Sequence, residues 1–147
     1  MITIEKIEDK NKKTILKLMK EMYNSDAVDH SLDEEIYIAT LNDANTDKYP
    51  LFGYQIMDND KVVGFGFLSQ SYCTEIGGIQ ILFEDLYIDS NYRGLGIGKK
   101  YFDFIFKNHR AKRYRLEVTE SNIKAIKLYN KLGFNLLNYK QMVKDVI

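Results

Sequence analysis

Residues 51–89 carry three successive runs, "LFGYQIM" at 51–57, "KVVGFGFLSQSY" at 61–72 and "GIQILFEDLYI" at 78–88, each dense in aromatic and aliphatic side chains. Such runs suit a pleated, packed surface and read as strands. The breaks between them, "DND" at 58–60 and Gly77-Gly78, are tight-turn sequences, so neighbouring strands pair antiparallel. The third run leads into "YRGLGIGK" at 92–99, after which Tyr101, Phe102, Ile105 and Phe106 recur at helical spacing to about Asn108. "YRLEVTE" at 114–120 returns to strand. A strand–helix–strand unit crosses over right-handed, so the strands on either side of this helix run parallel.

The flanks complete the order. "ITIEKI" alternates as a half-buried strand, and Ile15, Leu18, Met19, Met22 and Tyr23 form the stripe of an amphipathic helix. "SLDE" at 31–34 is a capping box, Ser31 with Glu34, opening a second helix to about Ala44 before Pro50. "SNIKAIKLYNKLG" at 121–133 is a helix with Ser121 or Asn122 as N-cap and Gly133 just past its end. "FNLLNYKQMVKDVI" leaves room for one or two last strands. The expectation is an α/β fold: one domain, 1–147, with a mixed sheet flanked by helices. Its order is strand, two helices, three strands, helix, strand, helix and two strands.

Lys plus Arg and Asp plus Glu both number 21, so no global field draws the chain to nucleic acid or membrane. The distribution is uneven, however. From Glu21 to Asp47 there are eight acidic residues and no Lys or Arg, and from Arg93 to Arg115 eight basic residues oppose only Asp103. "HRAKRYR" reads as a solvated face. One cysteine, Cys73, excludes an intramolecular disulfide, and His30 and His109 make no metal signature. His109 falls at a helix C-terminus, where its cation would complement the dipole. The start of the chain lacks the apolar run of a signal peptide, so a cytoplasmic protein is expected.

The glycine stretch fits neither common nucleotide loop. A phosphate-binding G-x-x-x-x-G-K-[ST] would need glycine at Arg93 and Ser or Thr at Lys100. A dinucleotide G-x-G-x-x-G would need glycine at Lys99 or Tyr101. What remains is R-x-x-G-x-G, Arg93 with Gly96 and Gly98, joining a strand to a helix. A helix N-terminus with glycines before it suits a pyrophosphate, because free N–H groups face the anion and no Cβ intervenes.

At these residues the chain resembles the GNAT family of N-acetyltransferases, whose acyl-CoA motif is Q/R-x-x-G-x-G/A at this place. A second family motif appears with Asn122 opening a helix, then Ala125, Leu128-Tyr129 and "LGF" at 132–134. The resemblance implies acetyl-CoA as co-substrate, no metal, and Arg93, Gly94, Leu95, Gly96, Ile97, Gly98, Lys99, Asn122 and Ala125 around it. Leu86, Tyr87 and Ile88 would pair with the pantetheine arm like an added strand.

The chemistry implied is acyl transfer to an amine. An alkyl ammonium with a pKa near 10.4 is neutral only about one part in 2,500 at pH 7, a penalty of roughly 4.6 kcal/mol, so a base is expected. Glu84 and Asp85 precede the cofactor turn on one strand, and strand alternation sends neighbours to opposite faces. The resemblance gives Glu84 the role of base, Asp85 that of substrate carboxylate or alternative base, and Tyr129 that of the acid protonating the leaving thiolate. The family's acceptor site maps to 21–47, where Tyr23, Asp26 and Tyr37, with Tyr54, would line a site for a small cationic amine. A protein N-terminus or lysine as acceptor, or a non-catalytic CoA-binding sensor, are the alternatives. The final strands imply a homodimer.

Overall fold

The structure, a computed structural model, describes residues 1–25 and 33–146. Alternation at the start gives β1 (Ile2–Lys6), and the apolar stripe that follows gives α1 (Lys12–Tyr23), which buries Ile15, Leu18, Met19 and Met22. Helix α2 (Glu34–Asp43) takes Asp33, in extended backbone, as its N-cap residue, and Ala44 follows its last turn. Ser31, the cap expected from the sequence, lies outside the described residues, as do Asp26 and His30. The three aromatic runs become β2 (Leu51–Asp58), β3 (Lys61–Cys73) and β4 (Gly78–Ile88). Helix α3 (Ile97–Asn108), β5 (Arg113–Leu116) and α4 (Ile123–Lys131) complete the set.

The five strands form one mixed sheet in the order β1-β2-β3-β4-β5. Pairing is antiparallel as far as β4, and β4 with β5 is parallel, as the crossover through α3 requires. Each face has its own core. On one, α1 and α2 cover Met57, Val62, Phe65 and Phe67. On the other, α3 packs its Ile97, Tyr101, Phe102 and Ile105 against Tyr54, Ile56, Val63, Leu68, Ile81 and Phe83. Gly66 of β3 makes room for α3, because a Cβ there would collide with the hydroxyl and ring of Tyr101.

Two expectations are corrected. β5 stops at Leu116, short of the 114–120 run, and residues 134–146 form no strand. A strand exists only through a partner edge. Beyond β5 the tail leaves Leu136, Met142, Val143 and Val146 at least 85 % exposed instead of seated on a sheet face.

Candidate active site

The register between β3 and β4 slips at one place. Phe67 pairs with Asp85 and Leu68 with Phe83, so Glu84 is left over as a bulge. Before it, Ile81 and Phe83 face α3. After it, Leu86 and Ile88 face α3, while Tyr87 packs on the α1–α2 core. The extra residue overturns the expectation that Glu84 and Asp85 point to opposite faces. Asp85 lies opposite Phe67 and accepts a hydrogen bond from the Tyr23 hydroxyl of α1 at 2.9 Å. Glu84 accepts one at 2.9 Å from Ser69, two residues along β3 from Phe67 and so on the same face. Both carboxylates stand on the α1–α2 side.

Their surroundings differ. Glu84 is exposed, whereas Asp85 is half-buried, and its carboxyl is pushed up to about 6. Burial is the main cause and the nearby Glu84 charge adds to it, while the Tyr23 hydrogen bond acts the other way. Tyr23 in turn is held well above the usual phenol range, first by burial and then by the Asp85 charge. Its ring stacks on buried Tyr37 of α2 with centroids 5.3 Å apart. Tyr54, expected beside these, is instead on the α3 face. There its hydroxyl meets His109 Nε2 and its ring lies edge-on to Phe104. His109 also departs from expectation. Burial lowers its pKa, with the Lys6 charge acting the same way, so the neutral ring is favoured over a dipole-capping cation.

Parallel pairing of β4 with β5 ends at Phe83–Leu116, while pairing with β3 continues to Ile88–Gly64. From Glu84 to Ile88 the β5-facing edge of β4 therefore has no strand partner among the described residues. That open edge runs through a 3-10 turn at Ser90–Tyr92 to the N-terminus of α3, which no side chain caps. Gly94 and Gly96 have φ of 76° and 78°, and a Cβ at either would meet nothing within 4 Å. The two glycines thus meet a backbone need and leave the ground above the helix end open. Gly98 differs: its Cβ position lies at ordinary contact from Leu128 and Ile88, where α3, α4 and β4 converge. These features fit a CoA arm laid along β4 with its pyrophosphate at α3.

The cations of this loop are placed less simply. Arg93 donates from Nε to the Ile88 carbonyl at 2.9 Å, and its guanidinium lies 5.1 Å from the Tyr87 ring centroid. Lys99 pairs with Asp103 one turn along α3 at 2.8 Å. Leu95 is exposed at the loop tip and Ile97 is buried under it. On α4, Asn122 Oδ1 accepts from the Ala125 amide at 3.3 Å as the N-cap. Tyr129 is half-buried, edge-on to Phe102 and Phe134, and burial raises its pKa. It also lines a cavity of about 700 Å³ between β5, α4 and the tail, away from the β4 carboxylates. Ser69, the partner of Glu84, was not singled out from sequence, because its register opposite β4 depends on the bulge. Among the described residues no group of three or more His, Cys, Asp or Glu side chains gathers as a metal site. Nor is any described helix long and apolar enough to cross a membrane.

Comparison with known proteins agrees with this geometry. The profile of the Acetyltransferase (GNAT) family matches residues 14–134. A probable spermine N(1)-acetyltransferase of Bacillus subtilis subsp. natto is 32% identical over 77 residues, covering 46% of this chain and 51% of that protein. A thialysine N-epsilon-acetyltransferase of Mus musculus is 37% identical over 75 residues, covering 49% of this chain and 44% of that protein. The chain thus spans about half the length of the curated relatives it matches. Among solved structures, a possible acetyltransferase from Clostridium difficile 630 superposes with a TM-score of 0.82 at 22% identity, covering 100% of this chain and 99% of that one. The aminoglycoside enzyme AAC(6')-Iy, in complex with a bisubstrate analog, does so with 0.80 at 13% identity over 100% and 99%. The chain belongs to the GNAT acetyltransferase family.

Proposed function

We propose that this GNAT acetyltransferase transfers the acetyl group of acetyl-CoA to the primary amine of a small cationic molecule by direct attack. The observation that carries the reading is the unpaired β4 edge, which begins at two carboxylates on one face and ends at an uncapped helix N-terminus. When bound, acetyl-CoA supplies a thioester whose carbonyl carbon gains the new C–N bond as its C–S bond breaks, the electron pair leaving on sulfur. The chain's residues handle the protons. A β4 carboxylate takes one proton from the acceptor ammonium, freeing the lone pair, and later returns it to solvent. Tyr129 gives its proton to the departing sulfur and is replenished by the proton that nitrogen sheds on becoming an amide. A main-chain N–H that the Leu86 to Ile88 stretch turns to the open β4 edge polarises the thioester oxygen.

A cationic acceptor is supported by the names of the relatives, which act on spermine and thialysine, and by the carboxylates Glu84 and Asp85 at the bulge. The exposed Glu35 at the start of α2 adds negative charge on the same side of the sheet, while Glu34 beside it is paired with Lys20. Turnover of acetyl-CoA with spermine, thialysine and neamine, read as free thiol released, tests the reading. Amine-dependent thiol release is the expected result. Intact CoA binding without turnover on any amine would overturn it in favour of a sensor.

A further inference from the structure

Resting on the acetyltransferase reading, we infer that Asp85, held by Tyr23, is the base that takes the acceptor proton, and that exposed Glu84 anchors the acceptor's positive charge. The bulge brings both carboxylates to one face, yet only Asp85 is fixed against a helix. Tyr23 donates to its Oδ1 at 2.9 Å, and Tyr37 stacks behind Tyr23, so a hydrogen bond and a packed ring set the carboxylate's direction. Among the described residues Glu84 is tethered only to a hydroxyl of its neighbouring strand, and it is exposed. A base held at one orientation delivers its oxygen to the reacting nitrogen, whereas an exposed carboxylate suits long-range attraction of a cation.

Protonation chemistry supports the same division. A base works best with a pKa near the operating pH, and Asp85 at about 6 is close to neutrality while still mostly ionised at pH 7. The groups around it are Tyr23 from α1, with Tyr37 of α2 stacked on that ring, Glu84 on its own strand and Tyr101 from α3, while β3 presents the uncharged Phe67. Among the described residues no lysine or arginine pairs with it: Arg93 is turned to the Ile88 carbonyl and Lys20 to Glu34. Tyr23 is therefore a positioning residue whose hydrogen bond favours the ionised carboxylate, and Glu84 is a neighbour whose charge disfavours it.

These two influences have opposite signs, and that makes the assignment testable. The pH dependence of kcat/KM with spermine and thialysine, and the Asp85 carboxyl titration by carbon NMR without substrate, are measured for wild type and three variants. Tyr23→Phe should move the acid limb and the carboxyl titration upward by about half a unit or more. Glu84→Gln should move both downward, raise KM for the cation and change kcat by only a few-fold. Asp85→Asn should lose kcat on the order of 100-fold or more, and the acid limb with it. If wild type acetylates none of spermine, thialysine and neamine, the acetyltransferase reading falls and this one with it. If wild type is active but Glu84→Gln abolishes turnover and the acid limb while Asp85→Asn retains them, only the present inference is overturned. Titrations unmoved by Tyr23→Phe would remove the positioning role.

Discussion

Tyr101→Phe should make this protein more stable, although it deletes a polar atom from the centre of a helix–sheet interface. The Tyr101 ring is fully buried on α3, and its hydroxyl lies over Gly66 with no hydrogen-bond partner among the described residues. Desolvation without compensation costs about 1–3 kcal/mol for such a group, and burial accordingly pushes its pKa far up. The variant leaves a void on the order of 10 Å³, worth only about 0.2 kcal/mol at about 24 cal/mol per Å³. The balance favours the variant by about 1 kcal/mol or more. A chain of 147 residues gains about 0.3 kcal/mol/K of unfolding entropy, so Tm should rise by about 3 °C. Calorimetry at neutral pH measures it, with Phe102→Leu as a comparison that should lower Tm by removing packed ring area. A Tm for Tyr101→Phe at or below that of wild type would refute the reasoning, since the hydroxyl would then be contributing a bond.

Three further outcomes are expected. Asp85→Asn should stabilise the fold at pH 7.5 but hardly at pH 4. A carboxyl raised from 3.8 to about 6 holds its proton in the folded state when the unfolded state has lost it. Stability then falls as pH rises through that window, by up to about 3 kcal/mol, and urea midpoints at the two pH values read it. Equal shifts at both would count against a strained carboxylate. Gly96→Ala should cost about 1 kcal/mol through its φ of 78° alone and weaken acetyl-CoA binding, measured by calorimetric titration, while Gly98→Ala is tolerated more readily. Tyr129→Phe should reduce kcat by about 10- to 100-fold with acetyl-CoA affinity kept, and an unchanged kcat would remove its acid role.

Local pattern was enough for most of the scaffold. The alternation at 2–6, the stripe from Ile15 to Met22, the aromatic runs at 51–88 and the Asn122 and Gly133 boundaries each depend on nearby residues, and each element formed where its period placed it. The parallel pairing of β4 and β5 also followed, because handedness leaves the crossover one solution. The glycine loop was legible for a similar reason, since a backbone with positive φ at Gly94 and Gly96 tolerates few other residues.

What failed to follow from sequence depends on a partner. The tail alternates enough to suggest strands, but strand formation needs pairing with an edge, and residues 134–146 pair with none, the outer edge of β5 included. Tyr54 was legible as an aromatic on a strand, yet its face is set by its register with Gly66 and by α3 above it. Arg93 and Lys99 carry charge in the sequence, while their direction is decided by a carbonyl and a carboxylate that only folding brings near.

The sequence alone determined that a strand bearing Glu84 and Asp85 runs into a glycine turn and a helix, and hence which elements meet at the site. Only the tertiary structure decided that these carboxylates share a face, and that Asp85 is the one held by α1. The reason is the bulge: side-chain direction along a strand has a period of two, and one unpaired residue reverses it. Whether a residue is paired is settled by the neighbouring strand, not by its own identity.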